Sequence, residues 1–167
     1  VSGLPQQGRC PVELLDRRRR DARVVITAVR ALAALGDDKA APALRRLLQT
    51  PDLDSALLLE LVEALGAVGE QRSTDVMIEL LSHSWSPLRG AALRGLARLD
   101  ADLFVLVLSG LQPDSQWQVR ADLANALAFV DPDVGAFRLT LMLEDEDRRV
   151  IPAVLRSLVT LRAPNAV

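Results

Sequence analysis

Apolar residues recur along this chain at spacings of four and three, and the whole pattern then repeats. The phrase AVRALAALG at 28–36 returns as LVEALGAVG at 61–69, ALRGLARLD at 92–100, LANALAFVD at 123–131 and VLRSLVTLR at 154–162. The offsets are 33, 31, 31 and 31 residues. One column is leucine throughout: Leu32, Leu65, Leu96, Leu127 and Leu158. Four residues earlier stand Ala28, Leu61, Ala92, Leu123 and Val154, and three later Leu35, Val68, Leu99, Val130 and Leu161. Positions i, i+4 and i+7 share one stripe of a helix, so each phrase predicts a helix with a buried face. The columns flanking the leucine are small: Ala31, Ala64, Gly95, Ala126 and Ser157 before it, Ala33, Gly66, Ala97, Ala128 and Val159 after it. Small side chains let helices approach closely, so these columns are expected to face the adjacent repeats.

A second helix is expected after each of the first four phrases, over 38–49, 73–82, 101–111 and 133–143. The link back to the next phrase carries its own column, Asp52, His83, Asp114 and Asp145, with Pro51, Pro87 and Pro113 close by. A short carboxylate there can accept backbone N–H groups where a helix begins. No segment alternates apolar and polar residues between hairpin turns, so no sheet is predicted. A period of about 31 residues of helix, turn, helix and link is the mark of a solenoid. The predicted fold is all-α, a right-handed α-solenoid of about five helical hairpins.

The VR-x-L-x-x-LG phrase from Val29 to Gly36, the AAPALRRLL helix at 40–48, and the Leu88-Arg89 and Val119-Arg120 pairs resemble HEAT repeats. They are similar to the short bacterial kind found in phycobilin lyases. The resemblance covers roughly residues 12 to 167. It implies a scaffold, and it implies that the phrase helices line the concave side. His83 replaces the turn Asp in one unit, and Val25, Leu58 and Ile151 stand where Arg89 and Arg120 do. A continuous Asp–Arg ladder along the turns is therefore not expected. Val1 to Cys10 reads as a flexible leader, 11–167 as one array, and residues 11–16 as half a repeat. The last phrase is followed only by a few residues where a second helix should begin, so the array reads as a fragment of a longer one.

Composition narrows the function classes. The chain is 50% apolar and 3% aromatic, with no tyrosine. That suits thin helical layers filled by Ala, Leu and Val. Net charge is −2, which disfavours a general nucleic-acid binder. No stretch is apolar enough to insert into a membrane. The single cysteine, Cys10, rules out an intramolecular disulfide. The compartment stays open, with the cytoplasm preferred to the periplasm.

No catalytic constellation emerges. One His and one Cys, far apart, cannot supply a clustered metal site, and no cofactor is expected. HEAT-like di-iron hydroxylases carry paired His-Glu motifs, and this chain has none. His83 reads as an exposed turn residue. Gly90 and Gly95 lie inside a helix at close-packing positions and form no phosphate loop. Trp117, Arg120 and Asp122 superficially suggest the HEAT-like alkylpurine DNA glycosylases. Packing of Trp85 and Trp117 over the ridges between repeats is the preferred reading. Arg17 to Arg20 and Glu144 to Asp147 read as solvated turns.

The candidate site is therefore a face. Two polar columns precede the leucine by two and five residues: Arg30, Glu63, Arg94, Asn125 and Arg156, then Thr27, Glu60, Ala91, Asp122 and Ala153. A third, two residues after it, holds Arg98 and Phe129. Arg30, Glu60, Glu63, Arg94, Arg98, Asp122, Asn125, Phe129 and Arg156 are expected to bind a protein or peptide. Phe129 would serve as the anchor and the arginines would grip carboxylates. The mixed charge fits a protein better than a polyanion. The alternative is an accessory array of a larger bacterial enzyme, lyase-like or fused to a peptidyl-prolyl isomerase domain.

Overall fold

A computed structural model describes residues 22–162. The phrases fall in α1 (Ala22–Leu35), α3 (Ser55–Val68), α5 (Ser86–Leu99), α7 (Trp117–Ala126) and α9 (Ile151–Arg162). Between them lie α2 (Ala41–Leu48), α4 (Thr74–Leu80), α6 (Ala101–Gly110) and α8 (Pro132–Leu141). Among the described residues there is no strand. Cys10, the half-repeat at 11–16 and the arginine run at 17–20 lie outside the described residues.

Each phrase helix packs along the next, α1 on α3, α3 on α5, α5 on α7 and α7 on α9. The second helices pack chiefly on the phrase helices, and on each other only weakly. The chain is an α-solenoid of two unequal layers. The closely packed phrase helices form one continuous wall.

The flanking columns explain that closeness. A Cβ built on Gly66 would fall 2.7 Å from the Cα of Gly95. Here α3 and α5 touch backbone to backbone, the residue after one leucine against the residue before the next. The leucines lie behind this contact. Leu32, Leu65, Leu96 and Leu127 are buried, and Leu158 is half-buried in the last described helix. One member of the expected stripe departs from it. Leu35 is 67% exposed, because no described helix packs on that side of α1.

The turns differ between the two halves. After α1 and α3 the chain reverses at Gly36 and Gly69, both left-handed at φ 62° and 82°, a backbone that glycine adopts without strain. After α5 and α7 a single aspartate does the work. Asp100 accepts from the Leu103 N–H at 2.9 Å, and Asp131 from Asp133 and Val134 at 3.0 and 3.2 Å. Asp52 does not cap α3 as its column suggested. It adopts φ 55°, and Asp54 takes the Ala56 and Leu57 N–H groups instead. Asp52 stands three residues before α3, as His83 and Asp114 do before α5 and α7, but Asp54 lies next to the first helical residue and takes the capping role.

Candidate partner-binding site

The wall is laced from helix to helix. Arg30 on α1 donates through Nε and Nη2 to Glu60 on α3, with the Nε contact at 2.9 Å. Glu63 on α3 and Asp122 on α7 both bind Arg94 of α5, making a carboxylate–guanidinium–carboxylate bridge over three units. Gly90 makes room for it: a Cβ there would meet the Asp122 Oδ2 at 2.0 Å. Asn125, one turn on, favours the charged form of the Asp122 carboxylate. Burial against α5 nonetheless raises the Asp122 pKa above the ordinary aspartate range, against the pull of Arg94. The guanidinium of Arg98 lies 4.8 Å from the centre of the Phe129 ring, a cation–π contact.

Eight of the nine residues assigned to this face from the sequence are thus brought together in three groups. The ninth, Arg156, stands apart and exposed on α9. Most of the charges satisfy one another. Arg98 and Arg156 are different: among the described residues neither makes an ion pair, and Phe129, in the unit between theirs, is 45% exposed. The free part of the wall is therefore its basic and aromatic C-terminal end. The short 3-10 turn Leu127–Phe129 that closes α7 carries Phe129 there.

A second lacing runs along the turns. Arg89 donates to Asp114 at 2.6 and 2.9 Å and to the His83 carbonyl at 2.9 Å. One unit later Arg120 donates to Asp145 at 2.8 and 2.9 Å and to the Asp114 carbonyl at 2.7 Å. Each arginine ties its own turn to the next. The rungs come in pairs 25 residues apart, so Leu58 and His83 are one missing rung: where the arginine is lost, its aspartate is lost too. His83 keeps only the local duty of the column. Its Nδ1 accepts from the Trp85 N–H at 3.0 Å, as Asp114 accepts from Gln116 at 2.8 Å. It is half-buried, where full exposure was expected.

The Glu144–Asp147 turn departs from the solvated reading. Asp145 is bound by Arg120, and Asp147 is held by Arg149 at 2.6 Å. Arg149 also covers the Trp117 ring at 4.4 Å. Trp117, Arg120 and Asp122 each face a different partner, so the glycosylase-like arrangement does not assemble. Among the described residues no three His, Cys, Asp or Glu side chains converge as a metal site would require. No described helix is long and apolar enough to cross a membrane.

These carboxylates predict an acid limb of stability. Arg89 holds Asp114 below the ordinary value of 3.8, Arg120 does the same for Asp145, and Arg149 lowers Asp147 to about 2. The Leu103 N–H lowers Asp100. A lowered folded pKa gives stability that is full above the unfolded value and lost as pH falls through the folded one. Asp122 has the opposite sign and is outnumbered. The urea midpoint is expected to fall below about pH 4, and Asp145→Asn to make that fall shallower.

Sequence patterning missed one feature. A cavity of about 420 Å³ opens where α6 and α8 diverge over α5 and α7, lined by Leu93, Leu108, Leu111, Leu123, Leu141 and Met142. Arg89, Arg120, Arg138, Asp114, Glu144 and Asp145 line it as well. Only the splay of the second layer creates it.

Comparison with known proteins decides the family. The family model for HEAT repeats matches residues 12–99, just over half of the chain. The chain belongs to the HEAT repeat family. Among solved structures, a chain from the complex of CpcE and CpcF of phycocyanin lyase from Nostoc sp. PCC7120 superimposes on this HEAT array with a TM-score of 0.69. It shares 21% identity over 88% of this chain and 95% of its own, a likeness of fold. An engineered protein aligns at a TM-score of 0.43 and 20% identity, covering 92% of this chain and 78% of its own, too distant to carry an argument. No curated protein matches the chain.

Proposed function

We propose that this HEAT array is a non-catalytic scaffold that holds a protein or peptide against the C-terminal end of its phrase-helix wall. The observation that carries the reading is the exposed Phe129 ring beneath Arg98, a cation that no described carboxylate neutralises, with the unpaired Arg156 exposed on the next phrase helix. Elsewhere on the wall Arg30, Glu60, Glu63, Arg94 and Asp122 spend their charge on one another. A segment that pairs an acidic residue with a large apolar one fits this end: the ring supplies a desolvated anchor and the guanidinium groups take the carboxylate.

The test is selection of binders from a random peptide display library on the full chain. Selected peptides are expected to be acidic and to carry a large apolar residue. Arg98→Glu with Phe129→Ala is expected to abolish their capture while the helical circular dichroism stays unchanged. Arg94 is a poor choice for this test, because reversing its charge would set three carboxylates against one another. Peptides that bind the double variant as well as the parent would exclude this end of the wall.

A second reading is favoured by the lyase chain, which superimposes over nearly its whole length, and by the apolar cavity between α6 and α8. In it the array is a subunit of a lyase-like enzyme. A visible absorption band on incubating the chain with a bilin would support it. The cavity variant Leu123→Trp is expected to remove that band.

A further inference from the structure

The outer layer breaks its own pattern at one place. A second helix ordinarily covers the phrase helix that follows it: α2 packs on α3, α4 on α5 and α8 on α9. The exception is α6, which packs on α5 and stands off α7. The apolar cavity beside Leu123 is the space left over α7, inside the array and between units that are both described. Its floor is buried, with Leu93, Leu108, Val119 and Leu127 each at most 8% exposed. Leu111 and Leu141 line it too and are 43% and 61% exposed, so it opens to solvent. Protein interiors are ordinarily filled to a density of about 0.74. An open apolar space of about 420 Å³ falls within the range of ligand pockets, about 300–1,000 Å³.

The lining says which ligand fits. Among the described residues no aromatic ring lines the cavity, and its apolar side chains are Leu, Val, Met and Pro. Such walls hold a flexible aliphatic chain through contact and burial, and give a planar ring system nothing to stack on. Three arginines line it. Arg89 and Arg120 are neutralised by Asp114 and Asp145. Arg138 is half-buried, and no carboxylate among the described residues pairs with it. Glu144, the remaining lining charge, is exposed to water. We propose that the cavity binds one aliphatic carboxylate of the fatty-acid class, its chain against the leucines and its head group on Arg138, which can take both oxygens. The proposal rests on neither functional reading above. Its failure would leave peptide capture and the bilin band to their own tests.

The probes are octanoate, decanoate, decan-1-ol and decylamine, titrated calorimetrically into the full chain. Decanoate is expected to saturate one site and to bind about fifteen-fold tighter than octanoate, because it buries two more methylenes. Arg138→Ala should weaken decanoate about ten-fold or more and leave decan-1-ol unchanged. Leu123→Trp, which fills the cavity, should abolish binding of both. Helical circular dichroism checks the fold of that variant, and Arg138→Ala, which removes an unpaired side chain, decides the matter if Leu123→Trp does not fold. The inference is overturned if no saturable binding appears, or if either folded variant binds decanoate as the parent does. Tighter binding of decylamine than of decanoate would also overturn it, since the head group would then belong to Glu144.

Discussion

Arg120→Ala is expected to lower the free energy of unfolding by about 3–5 kcal/mol, the range for removing one partner of a buried ion pair. Arg120 is buried, at 8% exposure. Its guanidinium ties three oxygens across two units: both carboxylate oxygens of Asp145 and the carbonyl of Asp114. Truncation would leave the Asp145 carboxylate, itself only 8% exposed in its side chain, without its counter-charge. The carbonyl would lose its donor as well. Arg149 is a built-in comparison. It lies one turn away and is largely exposed, so Arg149→Ala should cost little. Urea denaturation of the two variants checks the contrast. A double-mutant cycle with Asp145→Asn should return a coupling of about 0.5–3 kcal/mol. Additive losses would mean that the rung contributes packing and no pairing.

The stacking was legible in the sequence because it depends on period and size alone. A leucine column with small neighbours on both sides leaves few ways to place five helices, and Gly66 on Gly95 is the contact those columns imply. The wall could be read as a set of residues but not as a network. Pairing Arg94 with both Glu63 and Asp122 requires the stagger between neighbouring helices, and no single unit contains that information. The same holds for the turns. Arg89, Arg120, Asp114 and Asp145 were visible as columns, but the 25-residue pairing shows why Leu58 and His83 depart together. Asp52 misled because a second carboxylate, Asp54, stands next to the first residue of α3 and takes its free N–H groups, while Asp52 turns the backbone at φ 55°. The cavity beside Leu123 had no signature, because it is a gap between α6 and α8 and no local pattern encodes a gap.

Leu96→Ala is expected to cost about 2–5 kcal/mol, and Leu158→Ala distinctly less, although both residues occupy the same column. The chemistry removed is identical, so the difference isolates the surroundings. Leu96 is fully buried in α5, which is packed by α3 on one side and α7 on the other, with α4 and α6 behind. Loss of its side chain would leave a cavity that none of these helices can fill without moving the others. Leu158 is half-buried in α9, which among the described elements is packed by α7, α8 and the short 3-10 turns that close them, Leu127–Phe129 and Met142–Glu144, and the site can relax towards its open face. If stability resided in each hairpin separately, the two substitutions would cost the same. In a solenoid it resides in the interfaces between units as well, and a central leucine serves two of them. Chemical denaturation of both variants measures the gap between them directly.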